Sequence, residues 1–347
     1  MEPITHFLTG AALSRAGFNR TTALATVTMT LAAEAGDIDL VAYIRGSAVG
    51  FAQHRGITHT FLGVPFVAAL TLGVVWAVRA AWLRVRKRPP RPGALPVRWG
   101  RLYGLACIAG LSHLLLDFTN NYGLRPFYPF QGRWYAWDIV FIIEPVMLVL
   151  LLAGLSLPFL FGLVSSEVGA RQKGPRGRGG AIFALLGILL LWGVRDYEHR
   201  RAVSALESFE YQGQAATRAS ALPYMVNPFI WQGVIETDRF YQSMRVDSAR
   251  GEVDPDGRAV TYYKPEESPA SQAARQSYLG RAYLDWARYP LVRVEPRDPR
   301  DPGWVVTFSD VRFMYPGRRG VLEAYVELSP SLRVEDEGFE RTLGTRR

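Results

Sequence analysis

The chain has 347 residues, enough for two domains, with 49% hydrophobic residues and a formal charge of +9 at pH 7. Of its 40 Lys and Arg, seven lie in RVRKRPPRPGALPVRWGR (84–101) and four in RQKGPRGRG (171–179), leaving 29 against 31 acidic residues elsewhere. The excess therefore sits in two loops between apolar runs, which is the positive-inside pattern of a membrane protein and excludes a nucleic-acid footprint.

The first segment, MEPITHFLTGAALSRAG, lacks a basic n-region and an A-x-A cleavage site, so it is not read as a removable signal peptide. Two helices are expected near 4–16 and 21–35. Both are rich in Ala, Thr and Gly, which suits close packing inside a bundle more than lipid contact. Four stretches have spanning character: 60–83, 102–118, 139–164 and 180–194. The last is short for a bilayer core of about 30 Å. With the basic loops on the cytoplasmic side, 60–83 runs inward, 102–118 outward, 139–164 inward and 180–194 outward. The N-terminus, 36–58, 119–138 and everything after 195 then lie outside.

Beyond residue 200 the pattern is that of soluble protein. RRAVSALESFEYQG reads as a short helix, and PFIWQGVIETDRFYQSMRVD alternates like a strand pair. Residues 268–290 have helical spacing behind a Ser start signal. GWVVTFSDVRFMYPG and VLEAYVELS read as strands, and VEDEGFERTLGTRR as a frayed tail. The expected architecture is a multi-spanning α-helical membrane domain, 1–195, with about six helices, followed by a small extracytoplasmic α+β domain, 196–347.

One cysteine, Cys107, excludes an internal disulfide and a CxxC metal site. Of five histidines, four sit beside carboxylates or each other. His6 lies in PITHFLTG, Asp37 and Asp39 in EAGDIDL, His54 and His59 in QHRGITHT, and His113 and Asp117 in SHLLLDFTNNYG. Singly, each has a structural reading as a cap or a hydrogen-bonded core group. Jointly, all seven fall on the outer side of a topology fixed by charge alone. Ionisable groups in membrane segments are expensive and usually face a cavity with partners. His113 and Asp117, at i and i+4, project from one helical face. Nitrogen and carboxylate donors without a thiolate suit zinc first and manganese second, as one ion or as a pair.

These segments carry a resemblance. PITHFLTGAAL, AGDIDL, HRGITHTFLG, SHLLLDFTNNYG and PFYPFQGRWYAWDIVFIIEP follow in order. The chain resembles the bacterial membrane-bound, predicted metal-dependent hydrolases of the LexA-regulated inner-membrane type over roughly residues 1–165, and NPFIWQGVIETDRFYQ is similar to the tail of longer members. The resemblance implies a bacterial inner-membrane location and a metal-dependent hydrolase site, with no defined substrate. The chain departs from it at Glu144-Pro145, where members often have Asp-Pro.

Three further residues are candidates for chemistry. Arg55 is either an interfacial residue or a clamp for a substrate phosphate or carboxylate. Asp138, in WYAWDIVF, is a candidate ligand or proton carrier. Glu144, read as two turns into an apolar segment, is a candidate general base or a hydrogen-bond partner of a ligating histidine. The leading expectation is a membrane-embedded metallohydrolase acting on an ester or phosphoester, lipid-linked substrates among the options, with membrane lipid as its surroundings and no nucleic-acid partner. The competing class is non-enzymatic: a metal-ion transporter, or a scaffold or sensor whose C-terminal domain binds a partner. Ligands clustered at one face rather than at the midplane weigh against transport.

Overall fold

The computed structural model describes residues 1–85, 93–167, 177–314 and 320–339. Parts of the two basic stretches (86–92 and 171–176) and of the C-terminal tail (340–347) lie outside the described residues. The chain divides into two compact units. One comprises Met1–Ile38 and Arg55–Asp196, the other Asp39–His54 and Tyr197–Arg347.

The first unit is helical. α1 spans Pro3–Ala16 and α2 spans Ala25–Glu34. α1 starts where Glu2 accepts the Thr5 N–H at 2.9 Å ahead of Pro3, a residue suited to a first helical position. The two helices touch backbone to backbone: a Cβ on Gly10 would meet Met29 O at 2.6 Å and Thr30 Cα at 2.9 Å. Small residues at such a crossing let dispersion contacts hold helices together where lipid offers no hydrophobic drive. After the short α3 of the second unit (Ser47–Gln53) come α4 (Gly63–Val85), α5 (Trp99–Thr119), α6 (Pro145–Glu167) and α7 (Arg178–Ser208).

Among the described residues, α4, α5 and α7 are long and apolar enough to cross a membrane, and α6 has a shorter apolar stretch, Pro145–Pro158. α5 is the inner helix, with 56% of its apolar window buried against 17% for α4. Its Leu102, Leu105, Ala106 and Ala109 pack with Met29 and Ala33 of α2. Leu116, near its end, packs with Met147 and Leu151 of α6 and Ile188 of α7.

Two boundaries differ from the sequence expectation. The stretch expected to span from 139 becomes helical only at Pro145. Before it, the backbone runs extended beside the end of α5, with Trp137 N bonded to Phe118 O (2.7 Å) and Ile139 N to Thr119 O (3.0 Å). The residue before a proline is pushed away from helical dihedrals, so Glu144 ends the extended run and Pro145 opens the helix. The second difference is α7, which does not stop at 194. It absorbs most of the separate helix expected from residue 200, because no proline interrupts DYEHRRAVSALES.

The second unit is mostly β. β1 (Glu210–Tyr211) and β2 (Gln214–Ala215) form a small ribbon. β3 (Arg218–Pro223), β4 (Ile230–Glu236), β5 (Phe240–Asp247), β6 (Glu252–Val253) and β7 (Val260–Tyr263) form one antiparallel sheet in the order β3-β4-β5, with β6 and β7 both pairing β5. α8 (Pro269–Arg275) and α9 (Tyr278–Trp286) follow. The single helical segment expected over 268–290 is thus two helices. Ser268 caps the first and Ser277, accepting from Gly280 N at 2.9 Å, caps the second. β8 (Pro290–Pro296), β9 (Trp304–Asp310), β10 (Ala324–Leu328) and β11 (Val334–Phe339) form a second antiparallel sheet in chain order.

β11 corrects the expectation of a frayed tail from 334. VEDEGF pairs with β10, Tyr325 opposite Gly338 and Val326 opposite Glu337. Its charges suit an edge strand, which bonds through backbone and discourages further pairing. Ala202 and Leu206 of α7 pack with Trp231, Phe240 and Met244 beneath the first sheet. Burying each large apolar side chain there is worth about 1.5–3 kcal/mol. Phe51 of α3 packs against Tyr283, Trp286 and Phe339, ring centroids 4.8–5.7 Å apart, which explains why 39–54 belongs to this unit. His199 packs edge-on against Trp231 at 5.3 Å.

Candidate metal centre

The last turns of α5 present His113 and Asp117 on one face, as their i, i+4 spacing requires. Both are buried. His113 Nδ1 lies 2.8 Å from Ala33 O at the end of α2. A carbonyl only accepts, so Nδ1 carries the proton and Nε2 turns its lone pair inward, as in ligating histidines. The imidazole has room because the facing residue is Gly36: a Cβ there would stand 2.6 Å from His113 Nε2.

His59 comes from the short 3-10 turn Ile57–His59 ahead of α4, and Asp37 from the 3-10 segment Ala35–Arg45 that follows α2. One atom from each of Asp37, His59, His113 and Asp117 lies within 4.8 Å of the other three. His59 Nε2 is 3.0 Å from His113 Nε2, 3.3 Å from Asp37 Oδ1 and 3.3 Å from Asp117 Oδ2. His113 Nε2 is 3.8 Å from Asp37 Oδ1 and 3.5 Å from Asp117 Oδ2. Bonds of about 2.0–2.1 Å in a tetrahedron place ligand atoms about 3.3–3.4 Å apart. The five edges bracket that value, and the N2O2 donor set fits a divalent first-row ion. Asp117 Oδ2 is buried and accepts no hydrogen bond, a costly state that a cation relieves.

Asp117 Oδ1 faces the other way. Arg55 donates to it at 2.7 Å and to Gly123 O at 2.7 Å, and its guanidinium lies 4.7 Å over the Tyr122 ring. Arg55 adopts a left-handed φ of +53° to do so and is buried. The Met1 ammonium also contacts Oδ1. His6 of α1 stacks on His113, centroids 3.9 Å apart, with Nε2 3.5 Å from Asp117 Oδ1.

Burial alone would raise the Asp37 carboxyl, but its hydrogen bond to His59 and the neighbouring His113 imidazole outweigh this and hold it below the usual range. Burial, then the charge of Asp37, pushes the Glu34 carboxyl up to about 7.

The remaining sequence candidates fall elsewhere. Asp39 and His54 pair with each other, Oδ1 to Nδ1 3.3 Å, within the second unit and outside the group of four. The chain passes from one unit to the other between Ile38 and Asp39 and returns between His54 and Arg55. Glu144 is not two turns into a helix. It precedes α6, is fully buried, and pairs with Arg195 of α7 at 2.8 Å, outside the group of four. Asp138 stands in the extended run with a left-handed φ of +59° and is not in the group of four. Arg55, read as a substrate clamp, is turned onto Asp117. Glu34 and Gly36 were not singled out from sequence. Their one signal is the stretch AEAGD, where a carboxylate and a glycine directly precede Asp37.

A 170-residue stretch is 25% identical to the uncharacterized protein YfhP of Bacillus subtilis (strain 168), covering 47% of each chain. The chain thus spans about half the length of the curated relative it matches. No solved structure matches. The family model for the YdjM inner membrane protein matches residues 1–202, which include α1 to α7 up to Ala202 and every residue of the group of four. The chain belongs to the YdjM inner membrane protein family.

Proposed function

We propose that this protein is a membrane-embedded metal-dependent hydrolase acting on an ester or phosphoester, lipid-linked, at the extracytoplasmic face. The observation that carries the reading is the convergence of Asp37, His59, His113 and Asp117 from three separate elements at tetrahedral spacing. A bound divalent ion supplies Lewis acidity towards water and towards a carbonyl or phosphoryl oxygen. His59 and His113 both present Nε2 to the group, and Ala33 O holds the His113 tautomer that leaves its Nε2 lone pair inward. Arg55 and Gly123 fix the far side of Asp117, so the carboxylate enters the site already oriented. Asp37 is the member whose side chain meets solvent, 13% exposed against 0–1% for the others, so water and substrate approach on its side.

The topology follows the charge pattern, with both basic loops cytoplasmic, α6 as a fourth span, and the second unit outside. Zinc is the favoured ion and manganese the second. Detergent-purified protein should carry bound divalent metal and cleave a carboxylester or phosphoester, and His59→Ala should abolish both. Stable metal with no cleavage of either ester class would refute the hydrolase. Uptake of zinc or manganese into reconstituted vesicles would then favour transport.

A further inference from the structure

Beyond the four residues of the first position, a second group of polar side chains stands on the opposite side of Asp117. His6 is fully buried, and neither of its ring nitrogens makes a hydrogen bond. Nε2 stops 3.5 Å from Asp117 Oδ1, too long for a normal bond. Glu34 Oε2 is likewise buried without a hydrogen bond. The crossing that sets Gly10 against Met29, Thr30 and Ala33 carries His6, one turn earlier on α1, towards the level of Glu34 at the end of α2. The Met1 ammonium rests on Asp117 Oδ1, so that oxygen already faces a place that holds positive charge.

Unsatisfied imidazole and carboxylate groups in a buried site cost free energy unless something binds them. Carboxylates are also in excess. Glu34 feels Asp37, Glu2 and Asp117 together, with the Arg55 guanidinium and the Met1 ammonium as the cations among them.

We propose that His6, Glu34 and the Oδ1 side of Asp117 form a second cation position, so that Asp117 bridges two divalent ions. The proposal rests on the metal reading of the first position. Carboxylate-bridged ions lie about 3.5–4 Å apart, and such pairs clamp an anionic phosphoester between them. The site therefore favours phosphoesters over neutral carboxylesters. Arg55 and the Met1 ammonium share Oδ1, and a cation there is repelled by the first and must displace the second, so the second position is the weaker of the two.

Elemental analysis and Mn2+ electron paramagnetic resonance on the full chain, stripped by chelation and reloaded in detergent, test this. Wild type should titrate with two equivalents, one tight and one weaker, and show the exchange-coupled spectrum of a paired site. Glu34→Gln and His6→Asn, with unfolding temperatures near wild type, should each keep the tight equivalent, lose the weak one, and show isolated Mn2+ lines. One equivalent in wild type, or two in both variants, overturns the second position and leaves the first standing. No bound metal in wild type overturns both readings.

Discussion

Gly36→Ala tests the site with the smallest perturbation available. Gly36 sits in a 3-10 segment outside the left-handed region, so alanine suits its backbone. Restricting the unfolded chain would even stabilise by about 0.4–1 kcal/mol. The added Cβ, however, would stand 2.6 Å from His113 Nε2 and 2.7 Å from its Cδ2. Ordinary contact begins near 3.5 Å, so the imidazole must retreat by about 1 Å. Ligand positions tolerate only about 0.2 Å, and displaced supporting contacts alone cost about 10–100-fold in metal affinity. The expected loss is therefore at least tenfold, about 1.4 kcal/mol or more. Competition titration with a zinc chelator on detergent-purified protein reads it, with thermal unfolding as the check on folding. Gly104→Ala on α5, where a Cβ meets nothing within 4 Å, is the control and should bind as wild type does. Wild-type zinc affinity in a folded Gly36→Ala protein would refute His113 Nε2 as a ligand.

Arg55→Ala strands the buried Asp117 carboxylate, and breaking a buried pair costs about 3–5 kcal/mol in denaturant unfolding. Arg55→Lys should not rescue it, because one ammonium cannot reproduce the paired contacts to Asp117 and Gly123. Arg195→Ala should destabilise the helical unit by a similar amount by stranding Glu144, while the apolar pair Glu144→Leu with Arg195→Met restores unfolding temperature. Retained metal in that double variant would confirm that Glu144 acts in packing. In the second unit, burial would raise the Asp310 carboxyl, but Arg312 at 2.8 Å outweighs it and holds it below the ordinary range. A depressed folded value means the stabilisation is present above the unfolded value of about 3.9 and is lost as pH falls through the folded one. Melting between pH 7 and 3 should show acid loss that Asp310→Asn makes shallower.

The helical partners of the site were readable because helical periodicity is local. His113 and Asp117 announce a shared face four residues apart, and α5 delivers it. The choice between Asp37 and Asp39, or between His54 and His59, was not readable. Each pair has similar chemistry and lies in irregular chain, and the boundary between the two units separates them. Asp39 and His54 satisfy each other at 3.3 Å, a pairing that leaves no local trace in composition. The surroundings of Glu144 were unreadable for a related reason. A carboxylate in an apolar run must have a partner, but that partner, Arg195, lies 51 residues on. Glu34 shares the difficulty, since only the α1–α2 packing through Gly10 sets it among Glu2, Asp37 and Asp117.

Sequence alone determined the membrane character, the helical first part and β-rich second part, and the stock of imidazoles and carboxylates, because hydropathy and side-chain period are properties of neighbouring residues. Only the tertiary structure decided which of those groups meet. Burial makes every charge seek an opposite charge or a ligand, and the partner that answers is chosen by packing across the whole bundle.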